Sequence, residues 1–318
     1  MATEFEFIDN IKSKFGLGRV GDDCAVLPKD ADTDLLVTAD LLIEDIDFRF
    51  AWTTPELLGH KVLAVSLSDI AAMGGSPKWA MLSIGVAENL WKTDFLDRFY
   101  LGWTSLANKY GVELVGGDIS RSPDKLIFDS IVGGECKTGA SFSRSGAMPG
   151  DKIFVSGTLG SAAGGLRLLE AGLRTEFDSE SAVGRLALKQ LRPDPELELA
   201  NMLQTMGIVT SAIDISDGFS SDLKHICDES GVGGLIDPKS LPIDQDLLSI
   251  FNQDDCLDLA LNGGEDLGLI FTVPENASPQ LASLDVTCVG VITANEGVVE
   301  YISPKGPAIL GAGGFRHF

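Results

Sequence analysis

Apolar residues recur along this chain in two rhythms. Short continuous or alternating runs, L-L-V-T-A at 35–39, A-M-L-S-I-G-V at 80–86 and K-L-I-F-D-S-I-V at 125–132, have the length and side-chain types of strands. Between them, stretches with helical spacing cover about 55–73 and 92–110, and V-E-L-V at 112–115 predicts one more strand. Turn residues collect in G-A-M-P-G-D at 146–151, after which K-I-F-V-S at 152–156 starts a second series. That series predicts helices around 161–171, 181–191 and 196–206, then A-I-D-I-S at 212–216 leading into a helix at about 217–229. Strands near 266–273, 287–292 and 298–302 complete it. The pattern predicts an α/β (α+β) protein of two domains, 1–148 and 149–318, each with its own core.

Composition narrows the function classes. The 318 residues are 44% hydrophobic, enough for two buried cores, and carry a formal net charge of −23. Such a surface repels nucleic acid and anionic membranes, so neither is expected as a partner; cations are the natural counterpart. Five cysteines are odd in number, widely spaced and without a C-x-x-C pair, which predicts free thiols. The N-terminus shows no basic-then-apolar leader and no apolar run approaches the length of a membrane span, so a soluble cytoplasmic protein is expected. His60, His225 and His317 are scattered, which gives a multi-histidine metal site little support.

Five acidic sites share one setting, an apolar segment meeting Gly, Ser or Asp: G-D-D-C at 21–24, V-T-A-D at 37–40, L-S-D-I at 67–70, V-G-G-D at 115–118 and A-I-D-I-S-D-G-F-S-S-D at 212–222. Strand ends in α/β folds project side chains into the ligand crevice, so acids distant in sequence converge there. Oxygen ligands without His or Cys suit Mg²⁺, which is usually held by a few carboxylates together with substrate phosphates. Taken singly, each acid has an ordinary role: Asp22 or Asp23 in a turn, Asp217 as a helix cap, Asp222 as a solvated helix position. Asp69 is harder to explain that way, because helical spacing sets it on one apolar face with Leu58, Val62 and Val65. As a set, the acids point to metal binding.

Glycine-rich V-G-G-D at 115–118 and G-T-L-G-S-A-A-G-G-L at 157–166 offer backbone N–H groups to an anion, the second at a helix start. Neither is a nucleotide fingerprint, and tight packing explains glycine equally well. Arg144 in F-S-R-S-G-A-M-P-G-D suits a phosphate or a plain surface loop. In L-N-G-G-E-D at 261–266, Glu265 and Asp266 read either as ligand groups or as solvated acids of a hairpin turn.

In their order and spacing, G-D-D-C, V-T-A-D, S-L-S-D-I-A-A-M-G-G, V-G-G-D-I-S-R, F-S-R-S-G-A-M-P-G-D, A-I-D-I-S-D-G, L-N-G-G-E-D and G-F-R-H-F resemble the thiamine-monophosphate kinases. These belong to a superfamily with aminoimidazole ribonucleotide synthetase, selenophosphate synthetase and the hydrogenase-maturation dehydratase. The resemblance implies an aminoimidazole ribonucleotide synthetase-like fold, a homodimer formed through the N-terminal sheet, and ATP-dependent phosphorylation of thiamine monophosphate assisted by several Mg²⁺ ions. By position it implies a metal and phosphate site of Asp23, Thr38, Ala39, Asp40, Asp69, Asp118, Asp214 and Asp217, with Asp23, Asp69, Asp214 and Asp217 positioning the transfer. It implies ATP contacts from Gly117, Asp118, Arg144 and Ser216, and substrate contacts from Asp47, Glu265 and Phe315, with Gly218 leaving room beside the ligand. Asp47 stands where the family often has histidine, and G-G-E-D-L-G replaces its usual G-G-E-D-Y-E. Rival expectations are an amide-, thiocarboxamide- or selenide-activating enzyme of the same superfamily, and a non-catalytic divalent-cation binder.

Overall fold

The computed structural model describes residues 4–174, 177–311 and 313–315. Arg316, His317 and Phe318 of the terminal motif lie outside the described residues. The first half runs α1 (Glu4–Phe15), β1 (Ala25–Pro28), β2 (Thr33–Ile43), α2 (Pro55–Ala72), β3 (Ser76–Val86), α3 (Glu88–Trp91), α4 (Phe95–Tyr110), β4 (Glu113–Arg121) and β5 (Ile127–Lys137). Its five strands form one sheet in the order β1-β2-β5-β3-β4. Only the β3–β4 pairing is parallel.

The second half runs β6 (Lys152–Ser156), α5 (Ser161–Glu170), α6 (Ala182–Leu191), α7 (Leu197–Met206), β7 (Ser211–Asp214), α8 (Phe219–Ser230), β8 (Gly233–Ile236), α9 (Gln245–Ile250), α10 (Gln253–Asn262), β9 (Leu269–Val273), β10 (Val286–Thr293), β11 (Val299–Ser303) and β12 (Gly306–Ile309). Its sheet has the order β12-β11-β8-β10-β6-β9-β7. The two-domain mixed architecture agrees with the sequence expectation.

The central element is α2. Thr54 caps it by accepting from the Leu57 amide at 3.3 Å, and Pro55 occupies the first turn, where its missing N–H costs nothing. Residues on every side of α2 are buried, as its nearly unbroken apolar sequence requires. It packs on α4, β2 and β5, and reaches α7 and β7 in the other half. The largest apolar cluster follows it: Leu63, Leu67, Phe99 and Phe128 continue into Leu203, Leu269 and Phe271. A second cluster, including Ile153, Ile213, Phe219 and Ile270, fills the C-terminal half. Each half thus has a core, as expected, but the N-terminal one extends across the domain junction.

Two predicted strand ends are also corrected. The strand holding V-T-A-D continues to Ile43, and the strand holding V-G-G-D continues to Arg121, so Asp40 and Asp118 lie within strands. Gly117 explains the second case: at φ 152° it sits opposite Leu82, whose carbonyl oxygen would lie 1.9 Å from a Cβ. Glycine there lets β4 pair closely with β3 past a register shift.

Candidate active site at the domain junction

Strand β2, helix α2 and strand β7 bring acids from both domains together. One carboxylate oxygen each from Asp23, Asp69 and Asp214 lies within 4.8 Å of the other two. Hydroxyl groups orient the cluster: Ser68 donates to Asp214 Oδ2 at 2.6 Å, Ser66 donates to Asp40 Oδ2 at 2.6 Å, and Thr38 donates to Asp69 Oδ2. Because Ser66, Ser68 and Asp69 are consecutive or nearly so on α2, one rigid helix fixes three contacts. Ala39 stands between Thr38 and Asp40 on β2, its backbone paired with Ile131.

Burial sets the electrostatics. It pushes Asp214 up to about 7, with repulsion from Asp23 adding and the Ser68 hydrogen bond opposing. Asp40 rises to about 6 for the same first reason, eased by Ser66. Asp69 is held well above the ordinary carboxylate range by burial and then by Asp40, Asp214 and Asp23. Asp23 is also raised, because burial outweighs its ion pair with Arg144. These four groups strongly resist carrying full charge together without added cations.

Arg144 reaches the cluster directly, donating from Nε to Asp23 Oδ1 at 3.2 Å and from Nη2 to the same oxygen. The surface-loop alternative is therefore excluded: its side chain is mostly buried. Asp23 Oδ2, by contrast, is buried without a hydrogen-bond partner among the described residues. An orphaned carboxylate oxygen amid other hard oxygen donors fits a divalent cation such as Mg²⁺.

A cavity of about 480 Å³ adjoins the cluster. Asp40, Asp69, Asp214 and Asp217 line it together with Ser216, and so do Asp47, Glu265 and Phe315. Trp52, Leu166, Leu169 and Leu191 supply apolar wall. Each residue has a local reason for its position. The Phe315 amide donates to the Asp217 carbonyl at 3.1 Å, tying the C-terminal segment to the acid-bearing turn. The Glu265 amide donates to the Ser216 carbonyl at 2.8 Å, and Asp47 accepts from the Ile43 amide at 2.7 Å. Gly117 and Asp118 are not brought to this cavity: they lie on exposed β4, where Asp118 accepts from the Ile119 amide.

Other expectations change. Asp222 is 1% exposed, so its reading as a solvated helix position fails. Its carboxylate accepts from the Gly218 amide at 3.0 Å, and burial followed by Asp217 raises its pKa well above the ordinary value. Asp217, Asp222 and His225 place ligand-type atoms within 4.8 Å of one another; Asp222 and His225 share a face of α8, Asp217 precedes the helix, and the motif at 212–222 held the two acids but not His225. Gly218 is needed by the chain itself, since a Cβ there would meet the Asn262 backbone at 2.9 Å. The hairpin alternative for 261–266 is also wrong, because the segment joins α10 to β9 without a tight turn between paired strands. The anion at the glycine-rich helix start is Asp266, whose carboxylate accepts from the Gly160 and Ala162 amides at 2.6 and 2.9 Å.

Sequence reasoning missed Lys61 and Gln190. Buried Lys61 on α2 pairs with Glu265 Oε1 at 2.7 Å, and Gln190 on α6 donates from Nε2 to Glu265 Oε2. A lysine between Leu58, Val62 and Val65 was a visible signal, since such a charge needs a buried partner. Gln190 carried none, because its contact depends on the fold.

Comparison with known proteins shows the family. The model for AIR synthase related protein, N-terminal domain, matches residues 21–136, and that for the C-terminal domain matches 148–302. Thiamine-monophosphate kinase of Escherichia coli (strain K12) is 36% identical over 332 residues, covering 100% of this chain and 97% of the relative. That of Aquifex aeolicus (strain VF5) is 35% identical over 309 residues, covering 95% and 96%. A solved structure described as AaThiL complexed with AMPPCP and TMP has a TM-score of 0.89 at 33% identity, covering 99% of this chain and 97% of that one.

Proposed function

The chain belongs to the thiamine-monophosphate kinases of the AIR synthase related family, and from that membership we propose that it transfers the γ-phosphoryl group of ATP directly to thiamine monophosphate, giving thiamine diphosphate and ADP. The observation that carries this reading is the junction of a buried carboxylate cluster with a partly apolar cavity, in a fold shared with a relative described with an ATP analogue and TMP.

Asp23, Asp69 and Asp214 would hold Mg²⁺, with Thr38, Ala39, Asp40 and Asp217 assigned to further metal and phosphate contacts by family position; Asp118 has the same family position, but β4 keeps it away from this cluster within one protomer. Bound there, the ions supply the positive charge that two anionic substrates need to approach each other. The protein's own work is positioning. Ser68 and Thr38 fix the directions of the Asp214 and Asp69 carboxylates, Arg144 holds Asp23, and α2 keeps these groups on one rigid scaffold. Arg144, Ser216, Gly117 and Asp118 are assigned to ATP. Glu265, Phe315 and Asp47, all lining the cavity, are assigned to thiamine monophosphate.

We further infer a homodimer formed through β4. Every residue of that edge strand is exposed, including Leu114, Val115 and Ile119, and an exposed apolar edge invites pairing. The domain boundary is set between Met148 and Pro149, in the segment joining β5 to β6. No helix among the described residues is long and apolar enough to cross a membrane, and all five cysteines are free. Both features suit the cytoplasm.

The test is ADP formation by purified protein with ATP and Mg²⁺, with and without thiamine monophosphate. Stimulation by thiamine monophosphate with stoichiometric thiamine diphosphate is expected. Its absence, or stimulation by an amide or selenide instead, would overturn the reading.

A further inference from the structure

Lys61, Gln190 and Glu265 close a small network in the cavity wall. Lys61 Nζ pairs with Glu265 Oε1 at 2.7 Å and donates to the Gln190 main-chain carbonyl at 3.2 Å, while Gln190 Nε2 donates to Glu265 Oε2. All three residues line the cavity. Gln190 is 4% exposed, and its Oε1 is buried with no hydrogen-bond partner among the described residues.

The amide cannot relieve this by turning over. Reversal would set Oε1 against the Glu265 carboxylate, replacing a donated hydrogen bond with two facing acceptors. Glu265 therefore fixes the amide's orientation and leaves an acceptor without a donor on a cavity-lining side chain. Buried polar groups are almost always satisfied, so an exception in a binding cavity marks a place for a ligand group. The missing group must donate. Lys61 also compensates the charge of Glu265, which suits that carboxylate to accepting hydrogen bonds more than to balancing a ligand cation.

Resting on the kinase reading above, we propose that Gln190 is a specificity-determining residue whose Oε1 accepts a hydrogen bond from the exocyclic amine of the substrate's pyrimidine ring. The substrate's chemistry leaves little choice: the thiazolium nitrogen is quaternary, and the amine is the one N–H-bearing group of thiamine monophosphate. Glutamine's terminal torsion is soft but carries Oε1 and Nε2 together, so presenting Oε1 to the ligand requires the Glu265 carboxylate to follow Nε2. Lys61 is a positioning residue, acting through Glu265 and through the Gln190 backbone.

The test compares thiamine monophosphate with its analogue carrying C–H in place of the ring C–NH₂, in the wild-type protein and in Gln190→Met. A site built around a hydrogen bond rejects the analogue that lacks it, so wild type is expected to favour the amine by about 100-fold in kcat/KM. In Gln190→Met the preference should collapse to within about 3-fold, with KM for thiamine monophosphate raised about 10-fold and kcat nearly unchanged, the pattern of lost uniform binding. Equal losses on both substrates would show a structural role and overturn the assignment. Equal use of both by wild type would overturn it without any variant, should Gln190→Met not fold. Absence of activity on thiamine monophosphate itself would instead overturn the kinase reading, and the assignment with it.

Discussion

Burial holds the Asp214 carboxyl near 7, with Asp23 adding repulsion, so at neutral pH the cluster is only partly charged without a cation. Asparagine at 214 or 69 keeps an oxygen to accept from Ser68 or Thr38 but removes the charge a cation needs. Even outer-shell partners of metals typically cost 10–100-fold, so Asp214→Asn and Asp69→Asn should each lower turnover at fixed Mg²⁺ by about 100-fold or more. Circular dichroism should stay unchanged; undiminished turnover in both would remove them from the site. Asp266 makes a separate pH prediction. Burial raises it to about 6 against its two amide donors. A carboxyl with a raised folded pKa binds more protons folded than unfolded, so its contribution is full below about 4 and is lost as pH rises towards 6. Two pKa units correspond to about 3 kcal/mol. Asp266→Asn should therefore flatten the decline in unfolding free energy between pH 4 and 6, measured in urea; an unaltered slope would show that other groups set it. At this scale the sequence exposed the acids but not their surroundings, as Asp222 shows: a carboxylate flanked by serines reads as solvated until the helix is docked.

Among the elements, α2 was legible because its signals are local. The predicted span of 55–73 ends one residue beyond the observed Pro55–Ala72, since Thr54, Pro55 and an apolar run are all written in adjacent positions. Its partnership with α4 was not. Gly59 and Gly102 let the two backbones meet: a Cβ at Gly102 would lie 1.8 Å from the Glu56 carbonyl oxygen, and one at Gly59 would lie 2.0 Å from that of Phe99. Gly102→Ala gains about 1 kcal/mol of helix propensity. It must also force the helices apart, and overpacking of that kind costs about 1–3 kcal/mol, more where backbone opposes it. A net loss is expected as a lower urea midpoint, with reduced turnover because α2 carries Ser66, Ser68 and Asp69. A raised midpoint would mean the crossing has slack. Strands β2 and β4 run past the ends their sequence predicts for a related reason: Asp40 and Gly116–Gly117, which read as stops, are accommodated by pairing with β5 and β3.

For the whole molecule, the exposed β4 edge makes the association prediction. Val115→Lys puts a charge on that strand without touching the cavity, so sedimentation should shift from dimer towards monomer. An unchanged mass would overturn the inferred β4 interface. The apolar cluster shared between the halves also favours unfolding in one transition, because neither half retains that core alone. What the sequence determined by itself was the two-part α/β order, the helix and strand periods, and which segments carry the acids, all of which depend on neighbours within a few residues. Only the tertiary structure decided that Asp23, Asp69 and Asp214 meet while Asp118 stands apart, that Asp266 supplies the anion for α5, and that Gln190 faces a cavity with an oxygen unmatched. Those outcomes turn on which distant segments share a desolvated space. Periodicity fixes the face a side chain occupies, whereas its partner across the junction is chosen by the packing of the whole chain.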